Sequence, residues 1–152
     1  MYLSAEKFVS GYEFDKHPNF DKLLEMLNLS KEDVPHGHAA INVTIGYWRK
    51  ANAIHKWFVN NVQKGEDDCG RYYVSKERLE NLKADCVDAL DAFNKADVKK
   101  ATEILPPAQG FFFGNTEIDS WYKRNLENTI SLIDKCLSDK FKDYDFYYQS
   151  SW

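Results

Sequence analysis

The chain has 152 residues, enough for one domain with its own core, and its 43% hydrophobic and 29% charged content is that of an ordinary globular protein. A formal charge of −4 with no basic tract excludes a nucleic-acid polymer as the main partner, although one Arg and one Lys suffice for a small anion. Cys69, Cys86 and Cys136 are widely spaced, with no Cys-x-x-Cys pair, no secretory leader and no membrane-length apolar run, which points to a reducing cytoplasm and no membrane.

Residues 1–9 alternate loosely and predict a strand ended by Gly11. Phe20, Leu23, Leu24 and Leu27 recur at helical spacing after Pro18, so residues 19–29 predict a short helix. A polar connection over residues 30–38, "SKEDVPHGH", leads to the β-branched alternation of Ile41-Asn-Val-Thr-Ile45, a strand. Residues 49–63 predict a helix closed by Lys64-Gly65, followed by a loop over residues 65–71.

From Ser75, a reasonable N-cap, Leu79, Leu82, Cys86, Leu90 and Phe93 share one helical face. A short helical piece over residues 95–104 is stopped by Pro106-Pro107. After Thr116 a long helix keeps Ile118, Tyr122, Leu126, Thr129, Ile133 and Cys136 in register. The strand-like tail "DFYYQSSW" sets Tyr144, Phe146, Tyr148, Ser150 and Trp152 on one face and Tyr147, Gln149 and Ser151 on the other. The expected fold class is therefore α+β, a mostly helical single domain over residues 1–152. Its small antiparallel sheet comes from the N-terminal segment, residues 41–47 and the C-terminal segment.

The stretch "GYWRKANAIHKWFV" (46–59) mixes large rings with polar groups. At about 100° per residue, Trp48, Ala51, Ile54, Phe58, Val59 and Val62 form a broad buried arc. His55 falls inside that arc, with Asn52 and then Arg49 at its edge, and Trp57 points the other way and needs a second surface. Each taken alone has an ordinary structural reading: a satisfied core His, a core Trp, solvated Arg49 and Lys50. Together they suit a nucleotide-like ligand, with Arg49 and Lys50 for phosphate, Trp48 for stacking, and Asn52 and His55 for hydrogen-bond discrimination.

"GFFFGNTEIDSWY" (110–122) places three Phe before a helix N-terminus, where Glu117 and Asp119 compensate the dipole and disfavour a phosphate. Phe112 and Phe113 are thus candidates for ring contacts, or for plugging the core, and Gln149 for the edge of a base or ribose. The "HGH" pair, His36 and His38, lacks partners at metal-ligand spacing, and no nucleotide-loop, dinucleotide, nucleophile-elbow or zinc-helix motif occurs, so neither metal nor cofactor is expected.

The strings "MYL", "YWRKANAIHKWFV", "GFFFGNTEIDSWY" and "DFYYQSSW" span the chain and resemble a widespread family of small phage and prophage proteins. Members commonly begin Gly-Leu-Asp-Met-Tyr-Leu, and this chain starts at that Met. The resemblance implies a viral accessory protein in the host bacterial cytoplasm and carries over no catalytic residues. By analogy of context, it implies a counter-defence protein that sequesters a nucleotide-derived immune signal, of ADP-ribose or cyclic type, as a homodimer or larger assembly. Trp57 and Trp152 are the candidate subunit contacts. Two alternatives stand beside it. One is a hydrolase of such a nucleotide using His55 with Asp119 or Glu117; the other is a protein–protein inhibitor of a defence effector.

Overall fold

The computed structural model describes residues 1–34, 37–109 and 116–151. Four antiparallel strands form one sheet in the order β2-β1-β4-β3: β1 (Tyr2–Ser10), β2 (His38–Tyr47), β3 (Arg71–Val74) and β4 (Asp145–Gln149). Helices α1 (Phe20–Met26), α2 (Asn52–Asn61), α3 (Lys76–Asn94), α4 (Val98–Ile104) and α5 (Ser120–Cys136) complete the fold, which is α+β as its periodicities indicate. Among the described residues no helix is long and apolar enough to cross a membrane.

Strand periodicity sorts the sheet into two faces. Leu3, Ala5, Val74, Phe146 and Tyr148 point to the buried face and meet Ile54 and Phe58 of α2, Leu79, Leu82 and Cys86 of α3, and Leu126 and Ile133 of α5. The other face carries Tyr2, Tyr47, Tyr73 and Tyr147. There the Arg71 guanidinium lies 3.5 Å from the Tyr147 ring centroid and 2.7 Å from Glu6. Where β1 ends and β2 begins, Val9, Phe20 and Leu24 make a small second core that seats α1. Gly46 lets α5 come down on β2, because a Cβ there would run into the Leu132 side chain.

The fourth strand is the element that periodicity misses. Arg71–Val74 is four residues long and directly follows the expected loop. So short a run carries no usable alternation; pairing with β4 makes it a strand.

The helix expected over residues 49–63 is Asn52–Asn61. Lys50 takes a left-handed φ of 56°, which no α-helix tolerates, so Trp48 and Arg49 lie before the helix and the wheel does not apply to them. The wheel also fails for Trp57. Instead of facing outward it is 6% exposed, because α3 covers that side and Asp85 accepts its indole N–H at 2.7 Å. With Tyr148 of the sheet, Asp85 of α3 and Leu126 of α5 around it, α2 is enclosed on most of its circumference, and a one-sided amphipathic pattern cannot describe such a helix.

Local capping agrees well with the sequence. Ser75, Asp97 and Asp119 each accept first-turn N–H groups of α3, α4 and α5. At the end of α3 the Asp97 N–H reaches the Ala92 carbonyl and the Ala96 N–H the Phe93 carbonyl, a Schellman turn whose left-handed residue, φ 59°, is Ala96. Ala96→Gly removes the Cβ strain there and is expected to stabilise the fold by about 1 kcal/mol, read as a higher urea midpoint at unchanged slope.

Burial within the helical layer pushes the Cys136 thiol up from 9.0 to about 11 and raises the Cys86 thiol as well, whereas Cys69 is partly accessible. At neutral pH a thiol reagent should label Cys69 in the native protein and all three cysteines only after denaturation. Between pH 9 and about 11 the unfolded chain gives up the Cys136 proton while the folded chain keeps it, so stability falls as pH rises through that window. A flat stability profile across it would contradict the buried thiol.

Candidate functional site

His55, on the first turn of α2, is held from both sides. Its Nδ1 lies 2.7 Å from the Tyr148 hydroxyl and its Nε2 2.9 Å from Asp67 Oδ2. Burial raises the Tyr148 pKa, so the phenol keeps its proton; in the tautomer with the proton on Nε2, that nitrogen donates to Asp67 and Nδ1 accepts from the phenol. Asp67 also accepts from the Ser150 hydroxyl at 3.3 Å. The imidazole side chain is 3% exposed, and both of its nitrogens are committed to protein partners. A ring so placed braces the interior and offers neither a proton nor a lone pair to a substrate.

The remaining candidates separate. Trp48 is a core ring whose indole N–H donates to Thr129 Oγ1 at 2.9 Å. Gln149 sits at the end of β4 on the opposite face of the sheet, donating to the Cys69 carbonyl at 3.1 Å. Asp119 caps α5, so it does not orient His55; that role belongs to Asp67. Trp57 is buried against Asp85, so an interface at that ring has no exposed surface to use. Phe112, Phe113, Trp152 and His36 lie outside the described residues. Among the described residues no group of three or more His, Cys, Asp or Glu could hold a metal ion.

Three sequence candidates do converge. Lys50, Asn52 and Glu117 line one cleft at the N-terminus of α2, together with Trp121 and Asn125 of α5. Its enclosed part is about 10 Å³, room for one water-sized group, so any larger ligand keeps most of its body outside. Ala51 occupies the N-cap of α2 and has no side chain that could cap the first turn. The N–H groups of Asn52, Ala53 and Ile54 therefore give the cleft a positive backbone end, with the Lys50 ammonium on the residue before the cap. Asn52 is itself fixed, its side-chain amide donating to the Ala108 carbonyl at 3.2 Å. Arg49, exposed, adjoins Lys50 in the chain.

The left-handed Lys50 matters here. A non-glycine residue at φ 56° costs free energy, and such strain collects at sites where backbone direction is needed. It turns the chain sharply from β2 into α2, so that buried Trp48 is separated from the exposed pair Arg49 and Lys50.

Trp121 and Asn125 were not singled out from the sequence. The signal was present: α5 starts at Ser120, later than expected and without Ile118, but its register of Tyr122, Leu126 and Thr129 leaves Trp121 off the buried face and 44% exposed. The partners of His55 carried no such signal, because Asp67 lies in a polar loop and meets α2 only through the fold.

Truncating the Tyr148 hydroxyl isolates the brace, since the ring keeps its parallel stack on Phe58 at 3.9 Å. Tyr148→Phe is expected to cost about 1–3 kcal/mol, because His55 Nδ1 is left buried without its donor. Equilibrium denaturation within about 0.5 kcal/mol of the parent would show the hydroxyl to be dispensable.

No protein-family model, no curated protein and no solved structure matches the chain.

Proposed function

We propose that the protein binds, without cleaving, a small nucleotide-derived anion at the N-terminus of α2. The observation that supports this is the convergence in one cleft of a helix start whose N-cap is Ala51, the Lys50 ammonium, the half-exposed Trp121 ring and the polar side chains of Asn125 and Glu117. A phosphate fits the first-turn N–H groups and Lys50. A flat base fits the Trp121 face outside the enclosed part, and Glu117 and Asn125 offer hydrogen-bond partners for ribose hydroxyls or an amino group. Arg49 adds a second cation at the mouth.

The placement of the titratable groups favours sequestration over turnover. His55 is buried and doubly engaged, and Asp119 caps α5, so these two do not form the acid–base pair of a hydrolase. The resemblance to phage proteins supplies the biological side of the proposal: a counter-defence protein that lowers the free concentration of an ADP-ribose-type or cyclic nucleotide signal in the infected cell.

Calorimetric titration of the purified protein with ADP-ribose, cyclic ADP-ribose and cyclic dinucleotides tests it. Binding of at least one, with intact nucleotide recovered after heat denaturation, is the expected result. Lys50→Asn, which tolerates the left-handed backbone, and Trp121→Ala should each weaken binding about 10-fold or more while the melting temperature holds. No binding across the panel sinks the proposal, and recovery of a cleaved product replaces it with a hydrolase.

A further inference from the structure

We infer that β2 is a self-association edge, on which a second copy of this chain pairs its own β2 antiparallel to extend the sheet across a two-fold axis. Two sheet edges are available, and they differ. Beyond β3 the sheet ends on four residues that begin with the paired Arg71 and follow the acidic loop bearing Asp67 and Asp68. Beyond β2 it ends on ten residues, HAAINVTIGY, with no Lys, Arg, Asp, Glu or Pro among them. Among the described residues β2 pairs with β1 alone, so its outer row of N–H and C=O groups faces away from the sheet.

Exposed edges in monomeric proteins are commonly blunted by charge, proline, shortness or a bulge. Here the one irregularity, at Leu3/Ser4 in the pairing with β1, lies at the Tyr47 end, and the stretch from His38 to Thr44 runs regularly. Ile41 and Val43, 41% and 50% exposed, stand on the helix-bearing face of the sheet beyond the cover of the helical layer. A strand with these properties is built to be continued.

Charge selects the second copy as occupant. Exposed Glu32 and Asp33 lie in the segment leading into β2, with Lys31 before them 3.9 Å from Asp21, and exposed Arg49 and Lys50 follow it. Antiparallel pairing sets the acidic lead-in of each copy toward the basic exit of the other, twice, around an uncharged centre. A chain of net charge −4 has little else that favours meeting itself. The symmetry also restricts the register. Directly opposed residues on antiparallel strands share a face, so a two-fold axis normal to the sheet must pass where one residue opposes its own copy. The middle of the strand offers Ile41, Asn42 or Val43 for that position.

Ile41 and Val43 do not line the α2 cleft, and substitutions there leave Arg49 and Lys50 in place, so their outcome is read separately from nucleotide binding. Sedimentation of the full chain at micromolar concentrations should give twice the 17.7 kDa chain mass. Val43→Lys, an exposed charge on the edge, should halve that mass with the far-ultraviolet dichroism unchanged. Independently, single cysteines at residues 41, 42 and 43 in a Cys69→Ser background should yield a disulfide-linked dimer on mild oxidation from at least one position, since opposed Cα atoms lie about 4.5–5.5 Å apart. A monomeric parent protein overturns the inference, as does a dimer that survives Val43→Lys folded, or a cysteine scan that gives no cross-link at any of the three positions.

Discussion

The tertiary structure depends on Tyr148. Its ring lies parallel to Phe58 at 3.9 Å and its hydroxyl is 2.7 Å from His55, so one side chain of the sheet makes both the apolar and the polar contact with α2. A buried imidazole without partners would oppose folding. With Tyr148 donating on one side and Asp67 accepting on the other, the ring can remain neutral and hydrogen-bonded at depth. That fixes the roll of α2 about its axis, and hence the direction of its N-terminus. The same contacts tie the loop carrying Asp67 to Ser150 just beyond β4, joining three distant parts of the chain at one point.

Around this anchor the helices divide their labour. α3 and α5 bury one apolar stripe each, the arrangement expected where a helix lies between a core and water. α2 is different, with Asn52, His55 and Trp57 buried beside Ile54 and Phe58. Each buried polar atom pair is matched: Asn52 with Ala108, Trp57 with Asp85, His55 with Tyr148 and Asp67. Gln63, just beyond the helix, is the exception, its side-chain nitrogen and oxygen both buried without a hydrogen-bond partner among the described residues. The first turn of α2 is buried and its exposed residues, Asn60 and Asn61, lie at the far end, while the left-handed Lys50 brings the chain to its start.

The sheet shows the complementary asymmetry. Its helix-bearing face is closed over β1, β4 and β3 and open over the middle of β2, where Ile41 and Val43 lie beyond the helices. Its other face is lined by tyrosines, with Arg71 stacked on Tyr147 and paired with Glu6, which neutralises the exposed cation and immobilises its planar group. The α2 cleft and the open edge are thus separate regions of the surface, joined by the short turn from Tyr47 to Lys50.

Where period and local chemistry sufficed, the sequence alone determined the outcome. The stripes of α3 and α5, the Ser75 cap, the stop at Pro106-Pro107 and the buried parity of Phe146 and Tyr148 all depend on residues within a few positions of one another, and each was legible. The α+β class followed from them. What lay beyond reach was set by contacts distant in the chain. β3 is too short to signal itself and exists by pairing with β4; Trp57 is buried because α3 covers it; Gln149 is drawn to the Cys69 carbonyl, a partner 80 residues away in the chain. The stretch from Gly46 to Val59 was recognisable as unusual, but only the fold decided which of its polar groups brace the interior and which reach solvent. Hydrophobic periodicity reports one burial surface per element, and α2 has three.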